Sequence, residues 1–266
     1  MDILHWKQRV VGTPVGRVAE RLRWVARAPA RRRHPELWDM HLEDRWIAAA
    51  LPGIIEPDHN CVDVGAHIGS MLHEMRSLAS RGTHVAFEPV PKKAQWLRSK
   101  FTDVTVIEAA TSDETGTATF FDDVERPGFS GLRRPSEGET VESYDVRVTR
   151  LDDELAILDR VDFLKIDVEG AELPALRGAR ETLTRDTPTV LFECAADAVL
   201  EPFGYRRVDL FDFFAEIGYS VYSITDFVFG QTPMDRAAFA KAGTYPFRGF
   251  NYLALPADTP VERIID

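Results

Sequence analysis

The sequence predicts an α/β fold built on an open, mostly parallel sheet with helices on both faces. From residue 60 onward, short apolar runs alternate with helical patterns, the order that a sheet of βαβ units requires. Four of those runs, CVDV, HVAFE, VDFLKID and TVLFE, deliver a carboxylate at or near their carboxyl end: Asp63, Glu88, Asp167 and Glu193. Parallel strands buried on both faces should be nearly all apolar, so acids gathered at one rim mark it as the place for a polar ligand. The first strand turns on Gly65 into a helix, and such a turn brings helix N-terminal amides close to that ligand.

Taken in order, residues 1–52 are expected to form a basic helical extension with an edge helix, and residues 53–266 the main domain. In the segment 16–28, Val18, Leu22 and Val25 share one helical stripe, with Arg17, Arg21 and Arg23 around it and Arg31, Arg32 and Arg33 beyond. This pattern suits an interfacial helix in weak contact with a membrane surface or a partner. The narrowness of the stripe favours the other reading, a short helix packed on the body with a solvated arginine face. Leu42, Trp46, Ala49 and Ala50 then keep helical spacing up to Pro52-Gly53, which should end a helix lying across the sheet edge. The alternation that follows reads as strand 60–64, helix 69–80, strand 83–88, helix 91–101 and strand 104–109. Short strands at 117–121 and 144–150 flank a polar loop, 122–143, and long irregular loops in compact domains are commonly functional. Regular order resumes with strand 161–167, helix 173–185, strand 189–193, helix 207–217, strand 219–225 and a last strand near 250–255.

The composition narrows the function. Residues 1–34 hold nine Lys/Arg against two acids, or +7, which leaves −18 for the rest of a chain whose net charge is −11. An acidic body argues against nucleic-acid binding, whose affinity comes mainly from phosphate neutralisation, and it suits a cationic ligand. No apolar run approaches the roughly 18 residues of a spanning helix, and MDILHWKQRV lacks a signal-peptide core, so a cytoplasmic location is expected. Cys61 and Cys194 lie in or beside predicted strands and read as core residues rather than as a disulfide or metal framework.

The loop Asp63-x-Gly65-x-x-x-Gly69 discriminates between cofactors. A dinucleotide fingerprint wants glycine where His67 stands and another near Ser70, so that backbone can touch a pyrophosphate; this loop suits a ligand without phosphates. Glu88 lies 25 residues beyond Asp63, close to the spacing at which an acid after the second strand holds a ribose, although each acid singly also suits a helix start. In VDFLKIDVEGAE, Lys165 shares a strand face with Asp167 and needs a partner, for which Asp167 and Glu169 are the nearest in sequence. Gly170 permits a sharp turn, and Glu172 opens the next helix. A purely structural polar network is the alternative there.

The series CVDVGAHIGS, FEPVP, EAATSDETGTATFF, LDDEL with VDFLKIDVEGAELPALRGA, and PTVLFE, in this order, resembles the FkbM family of S-adenosylmethionine-dependent methyltransferases over about residues 40–225. The resemblance implies a Rossmann-like class I methyltransferase fold, with a seven-stranded, mostly parallel sheet whose last strand is antiparallel. It implies O-methylation of a hydroxyl on a sugar, glycolipid, oligosaccharide or polyketide-type acceptor. It also implies S-adenosyl-L-methionine contacts at Asp63, Gly65, Ala66 and Gly69, at Glu88 and the adjoining Pro89, at the Ser112-Asp113 region for adenine, and at Asp167 near the sulfonium.

In-line methyl transfer to a hydroxyl gains from a general base. Asp167 or Glu169 is expected in that role, with Glu193 and His67 in reserve; a helix-start contact facing the cofactor's carboxylate end suits His67 better. His41, Glu43, Asp44, Asp167, Glu169 and Glu193 include candidate oxygen ligands for Mg²⁺, but no compact motif joins them, so no metal site is predicted. The loop from Arg126 to Glu139, with Phe129, Ser130, Gly131, Arg133 and Arg134, suits an acceptor lid or a plain surface insertion. The Phe-rich segment 226–248 suits a cover for the acceptor site or a homodimer interface. Two further readings stay open: a nicotinamide-dependent oxidoreductase on nucleotide sugars, disfavoured by the missing glycines, and a non-catalytic scaffold, disfavoured by the intact rim acids.

Overall fold

In a computed structural model, which describes residues 11–26, 28–123, 130–133 and 141–265, seven strands form one sheet in the order β3-β2-β1-β7-β8-β10-β9. The strands are β1 (Cys61–Val64), β2 (His84–Phe87), β3 (Val104–Ile107), β7 (Phe163–Ile166), β8 (Thr189–Glu193), β9 (Tyr219–Ser223) and β10 (Asn251–Pro256). Strands β1, β2 and β7 are buried along their whole length, which is why they read as apolar runs. Their pairing is parallel, and β10 runs antiparallel between β8 and β9. The resemblance implied that final antiparallel strand. A smaller sheet, β4-β6-β5, joins β4 (Ala110–Thr111), β5 (Gly116–Asp123) and β6 (Val141–Thr149).

The alternation of side chains along each strand divides the core in two. Val62, Val64, Leu164, Ile166, Val190 and Phe192 meet helices Leu151–Leu155, Glu172–Arg177, Arg180–Asp186, Arg207–Glu216 and Arg236–Ala242. Cys61, Ala86, Phe163, Leu191 and Leu253 meet helices Trp38–Ile54, Ser70–Leu78, Pro91–Lys100 and Ile224–Val228. Both cysteines are free and buried. The segment 226–248 feeds both layers, since Phe227 packs on one and Phe239 on the other.

Several boundaries differ from expectation. The helix Trp38–Ile54 does not stop at Pro52; Ile47, Ala50, Leu51 and Ile55 join the second of these core layers. Its last turn survives the proline because Ile55 N–H still donates to Leu51 O at 2.8 Å and both side chains are buried. The expected helix 173–185 is two, Glu172–Arg177 and Arg180–Asp186. Gly178 packs so closely on Ser112 that a Cβ there would lie 2.1 Å from its carbonyl oxygen, and the second helix starts with Glu181 and Thr182 N–H donating to the Asp152 carboxylate.

The helix Pro14–Ala26 also departs from the favoured reading. Val15, Val18, Leu22 and Val25 are 55–66% exposed, while Trp24 packs beneath the Arg31 and Arg45 guanidiniums. Among the described residues, no helix is long and apolar enough to cross a membrane.

Candidate active site

The floor of the site is set by strand register. Asp63 and Lys165 are cross-strand partners on β1 and β7, so their side chains rise on the same face. Lys165 Nζ lies 3.3 Å from Asp63 Oδ1 and 3.4 Å from Asp167 Oδ2, and it donates to Gly65 O at 3.0 Å. The lysine's partners are thus Asp63 and Asp167, and Glu169 is not one: the parallel pairing brings Asp63 closer than any neighbour in sequence. Burial opposes the ammonium charge, but the Asp167 and Asp63 carboxylates outweigh it and hold the pKa above the usual lysine value. Asp63 is fully buried; burial pushes its pKa up and Lys165 pulls it back.

Above this floor lies a cavity of about 190 Å³ at the carboxyl ends of β1, β2 and β7, lined by Gly65, His67, Glu88, Pro89, Asp167 and Glu169 from the expected set. Glu88 is 4% exposed; its two oxygens accept from His67 N–H at 2.8 Å and Val90 N–H at 2.9 Å. Burial raises its pKa to about 7, against the pull of Lys93. Each carboxylate oxygen retains a second lone pair for a ligand hydroxyl. His67, with φ +50°, keeps its Nε2 buried without a hydrogen-bond partner among the described residues, and burial followed by Lys93 lowers its pKa to about 4. It is therefore neutral at pH 7.

Two polar groups on the wall, Thr111 and Lys93, were missed in the sequence, and a third, Ser130, belongs to the loop expected as a lid or a surface insertion. Thr111 is 2% exposed, and its Oγ1 has no hydrogen-bond partner among the described residues. Lys93 donates to Asp122 Oδ1 at 2.8 Å, a buried pair whose rupture typically costs about 3–5 kcal/mol. Ser130 donates to the same Asp122 oxygen and accepts from Asp123 N–H, while Gly131 bridges Phe121. This lays residues 130–133 over the cavity, with Ser130 and Leu132 lining it. Of the expected lid, Arg126, Phe129, Arg134 and Glu139 lie outside the described residues.

At the mouth, Asp167, Glu169 and Glu193 each place a carboxylate oxygen within 4.8 Å of the others. Burial, then Asp167 and Glu172, raises the Glu169 pKa to about 8; burial, then Asp167 and Glu169, raises Glu193 to about 10. Glu193 therefore carries a proton at pH 7. Glu169 sits at φ +55°, a conformation a side-chain-bearing residue holds only when its surroundings impose it. The imposing contacts are visible: Glu172 accepts from Val168 and Gly170 N–H and from Tyr205 O–H, which pins the turn.

The remaining expected residues fall elsewhere. Asp63 lies beneath the cavity. Ala66 N–H donates to Phe87 O, and Gly69, at φ +82°, packs against Phe101 so closely that a Cβ would lie 2.4 Å from its ring. Ser112 Oγ donates to Asp113, which lies 4.0 Å from Arg177, and neither lines the cavity; Thr111, one residue earlier, does. Glu43 is committed to Phe250 N–H, Asn251 N–H and the Asn251 amide, apart from the acid cluster.

The chain is 30% identical over 148 residues, 49% of its own length and 61% of the relative's, to 2-O-methyltransferase NoeI of Sinorhizobium fredii. It is 29% identical over 157 residues, 45% of its length and 60% of the relative's, to Methyltransferase sdnD of Sordaria araneosa. The matched regions thus span about three-fifths of these relatives. Among solved structures, Methyltransferase FkbM from Methylobacillus flagellatus aligns with a TM-score of 0.45 at 19% identity, covering 76% of this chain and 44% of that one. Residues 63–221 match the Methyltransferase FkbM domain, and the chain belongs to that family.

Proposed function

We propose that the chain is an S-adenosylmethionine-dependent O-methyltransferase whose acceptor is a hydroxyl of a sugar, glycolipid, oligosaccharide or polyketide-type molecule. The observation that carries this reading is Glu88, a buried carboxylate at the end of the second strand with acceptor capacity left on both oxygens, facing a cavity with no phosphate cradle. Family membership and the relative's name, 2-O-methyltransferase, support the same reaction class.

The bound cofactor supplies a methyl group on a cationic sulfur. Glu88 accepts the ribose hydroxyls, and the unpartnered Thr111 hydroxyl offers a further hydrogen bond to the nucleoside. Asp167 and, once it ionises, Glu169 supply negative field at the mouth, which favours a cation there. Glu169 would take the acceptor's hydroxyl proton as the new oxygen–methyl bond forms and the methyl–sulfur bond breaks, its electron pair staying on the departing neutral thioether, because a carboxylate with a pKa near 8 is a stronger base than an ordinary one. The Asp167 charge helps keep this group's pKa raised, Glu193 holds a proton shared with Asp167, and neutral His67 contributes through its backbone N–H to Glu88.

Equilibrium titration tests the cofactor assignment. S-adenosylmethionine should bind saturably and NAD should not bind; the reverse result would remove the proposal. Thr111→Val should weaken S-adenosylmethionine roughly five- to tenfold while leaving the thermal midpoint of the free protein unchanged or raised, because it deletes a buried hydroxyl that lacks a partner. Isotope-labelled S-adenosylmethionine offered with host glycans, lipids and small metabolites then identifies the acceptor by the label it gains.

A further inference from the structure

We propose that the apolar face of the helix Pro14–Ala26 seats on an anionic lipid surface. Val15, Val18, Leu22 and Val25 recur at intervals of three, four and three, so they form one stripe, and they are 60%, 55%, 65% and 66% exposed. The helix is held to the body from its other side, where Trp24 lies under Arg31 at 3.5 Å and Arg45 at 4.8 Å, so the stripe is turned outward by its own anchoring.

Charge identifies the occupant. The helix sequence carries arginine at positions 17, 21 and 23 against one acid, Glu20, and exposed Arg32 and Arg33 follow within two turns. An apolar stripe flanked by arginine is what binds the boundary of anionic headgroups and acyl chains. A second copy of this helix would bring two positively charged sequences together. The rest of the chain, at −18, is repelled by the same lipid, so the helix is also the end that must face it.

Gly12, just before the helix, packs on the His73 ring, so the helix is tied to the body at its start as well as at Trp24. Seating on lipid stands apart from the methyltransferase reading.

Sedimentation of the full chain with sucrose-loaded vesicles tests the seating, read as bound fraction and not as activity. Binding to vesicles of phosphatidylcholine with 30% phosphatidylglycerol should exceed binding to phosphatidylcholine alone by at least about tenfold, and should fall with added salt. Val18→Glu with Leu22→Glu, and separately Arg32→Glu with Arg33→Glu, should each lower it about tenfold with the thermal midpoint unchanged, since all four positions are exposed. Absence of vesicle binding by the full chain would overturn the proposal, as would binding insensitive to both variants. A concentration-dependent dimer abolished by the Val18 and Leu22 changes, without lipid binding, would reassign the face to a second copy.

Discussion

Replacing Gly65 by alanine is expected to destabilise the protein by about 3–5 kcal/mol, read as a lowered urea midpoint at unchanged slope. Gly65 sits at φ +79°, and a Cβ there would lie 1.9 Å from the Asp167 carbonyl oxygen. That oxygen is backbone, at the exit of β7, and no flexible side-chain end can yield. The neighbouring hydrogen bonds hold both sides of the turn: Gly65 and Ala66 N–H donate to Phe87 O at 3.0 Å, and Asp167 N–H donates to Val64 O at 3.1 Å. Relief of the overlap must therefore separate β1 from β7 at the point where Lys165 joins Asp63 and Asp167, so S-adenosylmethionine binding should be lost with the stability. Gly116→Ala is the control, because a Cβ there meets nothing within 4 Å; it should leave the midpoint within about 0.5 kcal/mol of the parent. A Gly65→Ala protein as stable as the parent would show that the turn has slack the geometry denies.

Glu169→Gln should lower kcat at least about 100-fold with little change in the KM for S-adenosylmethionine, because the change removes a base and keeps the shape. Asp167→Asn should also lower turnover, because it removes a charge that keeps Glu169 a stronger base than an ordinary carboxylate. Near-normal turnover in both variants would remove the carboxylate base from the mechanism. The pH dependence supplies an independent check. With the free-enzyme pKa raised to about 8, kcat/KM of the parent should climb with pH and level off above that value. Stability should move the other way. A carboxyl with a folded-state pKa above its ordinary 4.5 binds its proton more tightly in the native state, so its contribution is present at low pH and is lost as pH rises from 4.5 to about 8. Glu169→Gln removes this loss, so the variant should gain on the parent at pH 8 relative to pH 5.

The fold was legible because its signal is local. A parallel strand covered on both faces must be apolar for four or five residues and then turn, and an acid such as Asp63 or Asp167 at that place stands out against its neighbours. What the sequence hid is set by tertiary contact. Lys165 looked toward Glu169 in the chain, yet register delivers Asp63 to it across the β1–β7 ladder. Thr111, Lys93 and Ser130 come from a two-residue strand, a helix and a long loop, and no spacing links them; they meet only because the smaller sheet folds back over the rim. Ser112, expected on the adenine side, does not line the cavity whereas Thr111 does, since which way a side chain points in so short a strand depends on pairing with β6. Pro52 misled for a related reason: a proline costs a helix one hydrogen bond, and burial of Leu51 and Ile55 outweighs it.

The position of β10 bears on how the chain reaches this state. Strands β3 to β8 can pair as they leave the ribosome, but β9 has no neighbour in the sheet until the chain has passed Asn251, because β10 lies between it and β8. Until then β8 presents an open edge, the kind of surface on which nascent chains misassemble. The arrival of β10 also aligns Asn251 with Glu193 and brings its backbone to Glu43, a residue made some two hundred positions earlier. Glu193 thus gains its second sheet neighbour late, from a strand whose start is also held by Glu43, on a helix near the beginning of the described chain.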